Sequence, residues 1–155
     1  ILNTKPTKIN GGFFFLQIFI FMTKNDKYAL YKFVQFVKQE LGIVTPFSLR
    51  TSENRDGFKT FAYYDPKEKV VAVYTKNRAM PDILRSIAHE LVHHFDHQTG
   101  LANQKQNPDI GVYNNDKERS IAADDIENRA NAIAGSLIKK FGYNNPKLNI
   151  WNDPV

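Results

Sequence analysis

His89-Glu90-Leu91-Val92-His93 lies inside the segment Pro81-Asp82-Ile83-Leu84-Arg85-Ser86-Ile87-Ala88-His89-Glu90-Leu91-Val92-His93-His94-Phe95-Asp96-His97-Gln98-Thr99-Gly100, and the reading of this segment decides the fold. It opens on a proline suited to the first turn of a helix and closes on a glycine suited to ending one. Between them Leu84, Ile87, Ala88, Leu91 and Phe95 recur at helical spacing, which predicts a helix from Pro81 to about Gln98. Residues four apart on a helix share one face and are separated by about 6 Å along its axis. His89 and His93 can therefore converge on one tetrahedral zinc, at about 2 Å from each imidazole. Glu90 is one step round from His89. It reaches a water at the metal without ligating, as a general base must. On an ideal helix both histidines fall roughly 140–180° from the centre of the apolar stripe, so they face water or a second, polar surface.

A chance H-E-x-x-H is expected in a chain of this length at about 1% or below. The competing reading is a pair of surface histidines on an amphipathic helix. Zinc held by protein needs at least a third ligand. The chain has four histidines, and the other two fit poorly. His97 is about 12 Å from His89 along a straight helix, and His94 points about 100° away from His93. A carboxylate from elsewhere is then required. A third helix fits residues 118–141, with a stripe of Ile126, Ala130, Ile133, Leu137 and Phe141 and Gly142 as its stop. Glu127 borders that stripe and can be presented to the neighbouring helix, with Asn131 one turn on and able to hold a ligand histidine by a hydrogen bond. Asp124 and Asp125 are the alternatives.

The rest of the chain supplies the scaffold. Thr23 to Asp26 can cap a first helix, in which Leu30, Phe33, Val34, Val37 and Leu41 recur before Gly42. Residues 47–51 form a short strand, and 58–64 and 70–74 flank the turn Asp65-Pro66-Lys67-Glu68. Residues 101–117 read as a polar loop, and the tail with Pro146, Trp151 and Pro154 as irregular. Residues 1–22 stand apart: Lys5 and Lys8 precede a phenylalanine-rich apolar run at 13–22. The leading reading is an over-extended start with Met22 as the true beginning. A signal or anchor is second, although no small-x-small cleavage site follows, and a strand is third.

The 155 residues are 42% hydrophobic and 24% charged, the balance of one folded domain. The absence of cysteine excludes a disulfide scaffold, a thiolate zinc finger, an iron–sulfur site and a cysteine nucleophile. No apolar run is long enough for a membrane-spanning helix. The net charge of +5 is scattered rather than blocked, which argues against nucleic acid as the partner.

With these residues placed, the chain resembles the gluzincin group of zinc metallopeptidases. Glu127-Asn128-Arg129-Ala130-Asn131 matches the group's E-x-x-A-N pattern on the helix after H-E-x-x-H. Among small members it looks most like the ImmA/IrrE-type peptidases, which cut phage or stress-response repressors. Those have a first helix, a small sheet, the zinc helix and an E-x-x-A-N helix, in the order read here. The run from His89 to His97 is also similar to the zinc helix of the mitochondrial inner-membrane processing peptidases, without the cysteines found around it there. The SprT-like proteases of DNA–protein crosslink repair fit less well, because they use three histidine ligands. The resemblance implies that an edge strand beside the zinc helix binds substrate backbone, and residues 70–74 are the candidate.

The expectation is a single α+β zincin-like domain over 23–155: an N-terminal helix, a small mixed or antiparallel sheet, the zinc helix and a third-ligand helix. Zn2+ is held by His89, His93 and Glu127, and Glu90 is the catalytic base. The expected activity is zinc-dependent hydrolysis of a protein or peptide in the cytoplasm, with Tyr113, Tyr143 and His97 as candidate second donors to the carbonyl oxygen. The alternatives are a catalytically inactive zincin-shaped adaptor, a DNA-associated repair protease, and a peptidase tethered to a membrane by 13–22. The retained Glu90 counts against the adaptor.

Overall fold

The computed structural model describes residues 4–9, 12–17, 22–100 and 115–151. Positions 18–21 of the apolar N-terminal run, the 101–114 part of the polar loop with Tyr113, and the last residues with Pro154 lie outside the described residues. Among the described residues the fold is α+β: five strands in one mixed sheet, three α-helices and a short 3-10 helix, Pro146–Leu148.

Strands β1 (Thr4–Ile9) and β2 (Gly12–Gln17) pair antiparallel. Helix α1 (Lys24–Leu41) follows, and its ends are specified locally. The Thr23 hydroxyl accepts the Asp26 N–H at 3.1 Å, filling a bond that the first turn leaves open. Gly42 takes the left-handed conformation at φ 72° and donates its N–H back to the carbonyls of Lys38 and Gln39. The chain then enters β3 (Phe47–Ser52), parallel to β2, so β2–α1–β3 is a parallel crossover unit.

Strands β4 (Ala62–Asp65) and β5 (Val70–Tyr74) form the hairpin expected around residues 65–68, with β4 shorter than the 58–64 reading. Asp65 Oδ1 accepts the N–H groups of Lys67 and Glu68, the side-chain-to-backbone closure that makes aspartate a turn former. The sheet order is β1-β2-β3-β5-β4. Strand β5 runs parallel to β3 on one side and antiparallel to β4 on the other. The assignment of residues 70–74 as a substrate-binding edge is therefore corrected: both sides of β5 are occupied, and the edge is β4. The cause is the hairpin, which folds β4 back outside β5. The run Val71-Ala72-Val73, buried at consecutive positions, already has the pattern of a strand covered on both faces.

Helix α2 (Met80–Thr99) has Pro81 in its first turn and stops at Gly100, φ 79°. It packs on β4 and β5, and α1 and α3 (Asp116–Asn144) pack against it in turn. The core joins Leu30, Phe33 and Val37 of α1, Leu49, Val71 and Val73 of the sheet, Leu84, Ile87 and Leu91 of α2, and Ala134, Leu137 and Phe141 of α3. Phe33 and Phe141 meet edge to face with ring centroids 5.0 Å apart, tying α1 to the far end of α3. Asn115 caps α3 by accepting the Glu118 N–H. The helix runs through Gly142 rather than stopping there. A Cβ at Gly142 would lie 2.3 Å from the Trp151 indole nitrogen, so the glycine serves close approach of the returning chain and not termination. Among the described residues, no helix is long and apolar enough to cross a membrane.

Candidate metal centre

Helix α2 is covered on most of its circumference. Leu84, Ile87, Ala88 and Leu91 are fully buried toward the core, as the stripe required, and Glu90 and Val92 are buried too. Of the two surfaces open to His89 and His93, they take the polar one, facing α3. There the three predicted ligands come together. His89 Nε2 lies 2.9 Å and His93 Nε2 3.1 Å from the Glu127 carboxylate, and the two Nε2 atoms are 3.1 Å apart. Tetrahedral ligands at zinc bond lengths are separated from one another by about 3.3 Å, so this donor set fits the ion. Metal-free, an imidazole that carries its proton on Nε2 can donate to the Glu127 carboxylate at these distances. Burial holds His93 below the usual histidine range against the pull of Glu127, which favours the neutral ring. Neutral imidazoles and a carboxylate are the protonation states a metal requires.

Glu90 is buried beside this cluster and lines the same cleft. Burial, with the charge of Glu127 second, pushes its carboxyl up to about 8. The cleft encloses about 1310 Å³ between α2, α3, β4 and the turn into α2.

Asp124 and Asp125 are exposed and outside the cluster, so the geometry selects Glu127 among the three carboxylates weighed. Asn131 lines the cleft but makes no hydrogen bond to either histidine among the described residues, which corrects the role expected for it. Tyr143 is 86% exposed on the last turn of α3 and does not line the cleft, so it is withdrawn as an oxygen donor. His97 does line it, with its ring 5.6 Å from that of Tyr64.

Two supporting arrangements escaped the sequence reading. His94 is fully buried: its Nδ1 lies 2.9 Å from the Tyr64 hydroxyl and its Nε2 3.3 Å from the Thr45 carbonyl. This locks α2 to β4 and to the chain entering β3, and burial keeps the ring neutral. Asp96, one turn past His93, pairs with Arg129 of α3 at 3.3 Å. Burial pushes the Asp96 carboxyl up, and Arg129 pulls it back down. Neither pairing has a local signature, because each partner lies more than 25 residues away in the chain.

No family model, curated protein or solved structure matches this chain.

Two outcomes follow from this geometry. The native chain should carry about one zinc after reconstitution, and His93→Ala and Glu127→Ala should each lose most of it, as read by elemental analysis. In the metal-free chain Glu90 holds its proton to about pH 8 when folded, against 4.5 for a free glutamate. Its contribution to stability is full below 4.5 and is lost as pH rises toward 8. Denaturation curves with chelator should show Glu90→Gln gaining on the native chain across that window and levelling off above it.

Proposed function

We propose that the chain is a zinc-dependent metallopeptidase with a zincin-like catalytic core, hydrolysing peptide bonds in the cleft between α2 and α3. The observation that carries this reading is the convergence of His89, His93 and Glu127 on one point, with their ligand atoms within 4.8 Å of one another. The buried Glu90 next to that point and the length of the cleft support it. The order of elements, with an E-x-x-A-N helix crossing an H-E-x-x-H helix, supports the likeness to small ImmA/IrrE-type peptidases.

Bound zinc supplies Lewis acidity, which polarises a carbonyl and brings the pKa of a water to about 7. The chain's own residues do the rest. His89 and His93 on one rigid helix and Glu127 on the next hold three positions and leave the cleft side open for water and substrate. Glu90 accepts the proton of the attacking water and returns it to the departing amine. Burial and the charge of Glu127 hold Glu90 protonated in the metal-free chain; a bound dication would counter both and leave the carboxylate that accepts the proton. His97, which lines the cleft, is the candidate donor to the carbonyl oxygen as charge develops there. Peptide reaches the site along β4, whose outer edge has no strand partner among the described residues and whose Tyr63 and Tyr64 line the cleft.

Zinc-loaded protein should cleave an unfolded protein such as casein, and chelator should stop it. Glu90→Gln should retain zinc and lose about 10²–10⁴-fold in rate. Full activity in Glu90→Gln, or none in a zinc-loaded native chain across a range of unfolded substrates, would overturn the proposal.

A further inference from the structure

Resting on the peptidase reading, we propose that the cleft carries a carboxylate-binding subsite centred on Arg85. Its substrates would then present a carboxylate, from an acidic side chain or a chain end, within two residues of the bond that is cut.

Arg85 is four residues before His89, so it stands on the metal-facing side of α2, about 6 Å further along the axis. Its side chain is exposed and lines the cleft, and its guanidinium reaches across to α3. There it lies beside Gly135, where even an added Cβ would make only ordinary van der Waals contact with Arg85 Nη2, at 3.6 Å. No ion pair engages Arg85 among the described residues; the one acidic side chain lining its end of the cleft, Asp82, stands one turn earlier on α2.

The surroundings reinforce one sign. Lys76, Arg78 and Arg85 line this end against the single carboxylate of Asp82. Arg78 is a fixed wall and not a free hand. It donates to the Tyr74 carbonyl at 2.7 Å, the Asp82 carbonyl at 3.1 Å and the Ser86 hydroxyl at 2.6 Å, and lies 4.7 Å from the centre of the Phe61 ring. Arg85 lines the cleft with no ion pair among the described residues, and a planar guanidinium can take a carboxylate in two parallel hydrogen bonds. Beyond the metal the balance changes: Arg129 is committed to Asp96, and Asp125 lines the wall. A peptide lying across the site therefore meets positive charge on one side of the scissile bond only. Each residue of extended chain spans about 3.5 Å, which puts the guanidinium within one or two residues of the metal.

Peptide hydroxamates test this without requiring turnover, because the hydroxamate binds zinc and the adjoining residues sample the cleft. The zinc-loaded full chain is titrated calorimetrically with three probes. These are malonyl hydroxamates carrying Glu amide, Gln amide, or Gln with a free C-terminus, each made with and without an intervening Gly. At low salt one of the two charged probes should bind at least about fivefold more tightly than Gln amide, and the preference should shrink with added salt. Preference for Glu amide assigns the subsite to a side chain, and preference for free Gln assigns it to a chain end. Arg85→Gln should abolish the discrimination and Arg85→Lys keep part of it, with zinc content unchanged in both. Equal affinity for all three probes, or discrimination that survives in Arg85→Gln, would overturn the subsite alone. A chain that takes up no zinc would remove the peptidase reading and the subsite with it.

Discussion

Three side chains able to ligate a metal, brought to within about 3 Å of one another by two packed helices, are the constraint on which this structure turns. His89 and His93 are fixed relative to each other by the helix repeat alone. Glu127 is brought to them by tertiary packing. Ala130, Ala134 and Leu137 bury one side of α3 against the core, and that leaves Glu127 turned along α2. Metal-free, an imidazole Nε2–H can hydrogen-bond the carboxylate; a cation would instead take a lone pair from each of the three groups at once.

The rest of the molecule reads as the brace for that site. Strand β5 is an interior strand of the sheet, paired on both sides, and α2 packs on it. His94 is adjacent to a ligand in sequence and opposite to it in role. Its two ring nitrogens are engaged by Tyr64 and Thr45, so it fixes the rotation of α2 about its axis. That rotation decides where His89 and His93 point. Asp96 and Arg129 fasten the same two helices beside the cluster. A helix held at so many points can present two imidazoles at constant geometry, which a site built on a loop would not do.

What was legible in the sequence was whatever rests on local periodicity and local chemistry. The extents of α1 and α2, with the Thr23 cap and the Gly42 and Gly100 stops, follow from spacing and caps. So does the shared face of His89 and His93. Glu127 was legible as the favoured of three nearby carboxylates, from its place beside the α3 stripe and the E-x-x-A-N likeness, while its meeting with the histidines depends on how α3 crosses α2. Gly142 misled, since a glycine that ends a helix and a glycine that admits a neighbouring indole look alike in one dimension. Strand order was also out of reach. The hairpin of residues 62–74 is local, but which of its strands turns outward is set by the pairing of β5 with β3, across residues 53–69. The His94–Tyr64 and Asp96–Arg129 pairs and the reach of Arg85 to Gly135 are long-range for the same reason.

Zinc-edge X-ray absorption spectroscopy of the reconstituted native chain tests the central claim most directly. The account predicts a four-coordinate shell of nitrogen and oxygen at about 2.0–2.1 Å, with the outer scattering of two imidazoles. A shell with three or more imidazoles, or one with none, would contradict it.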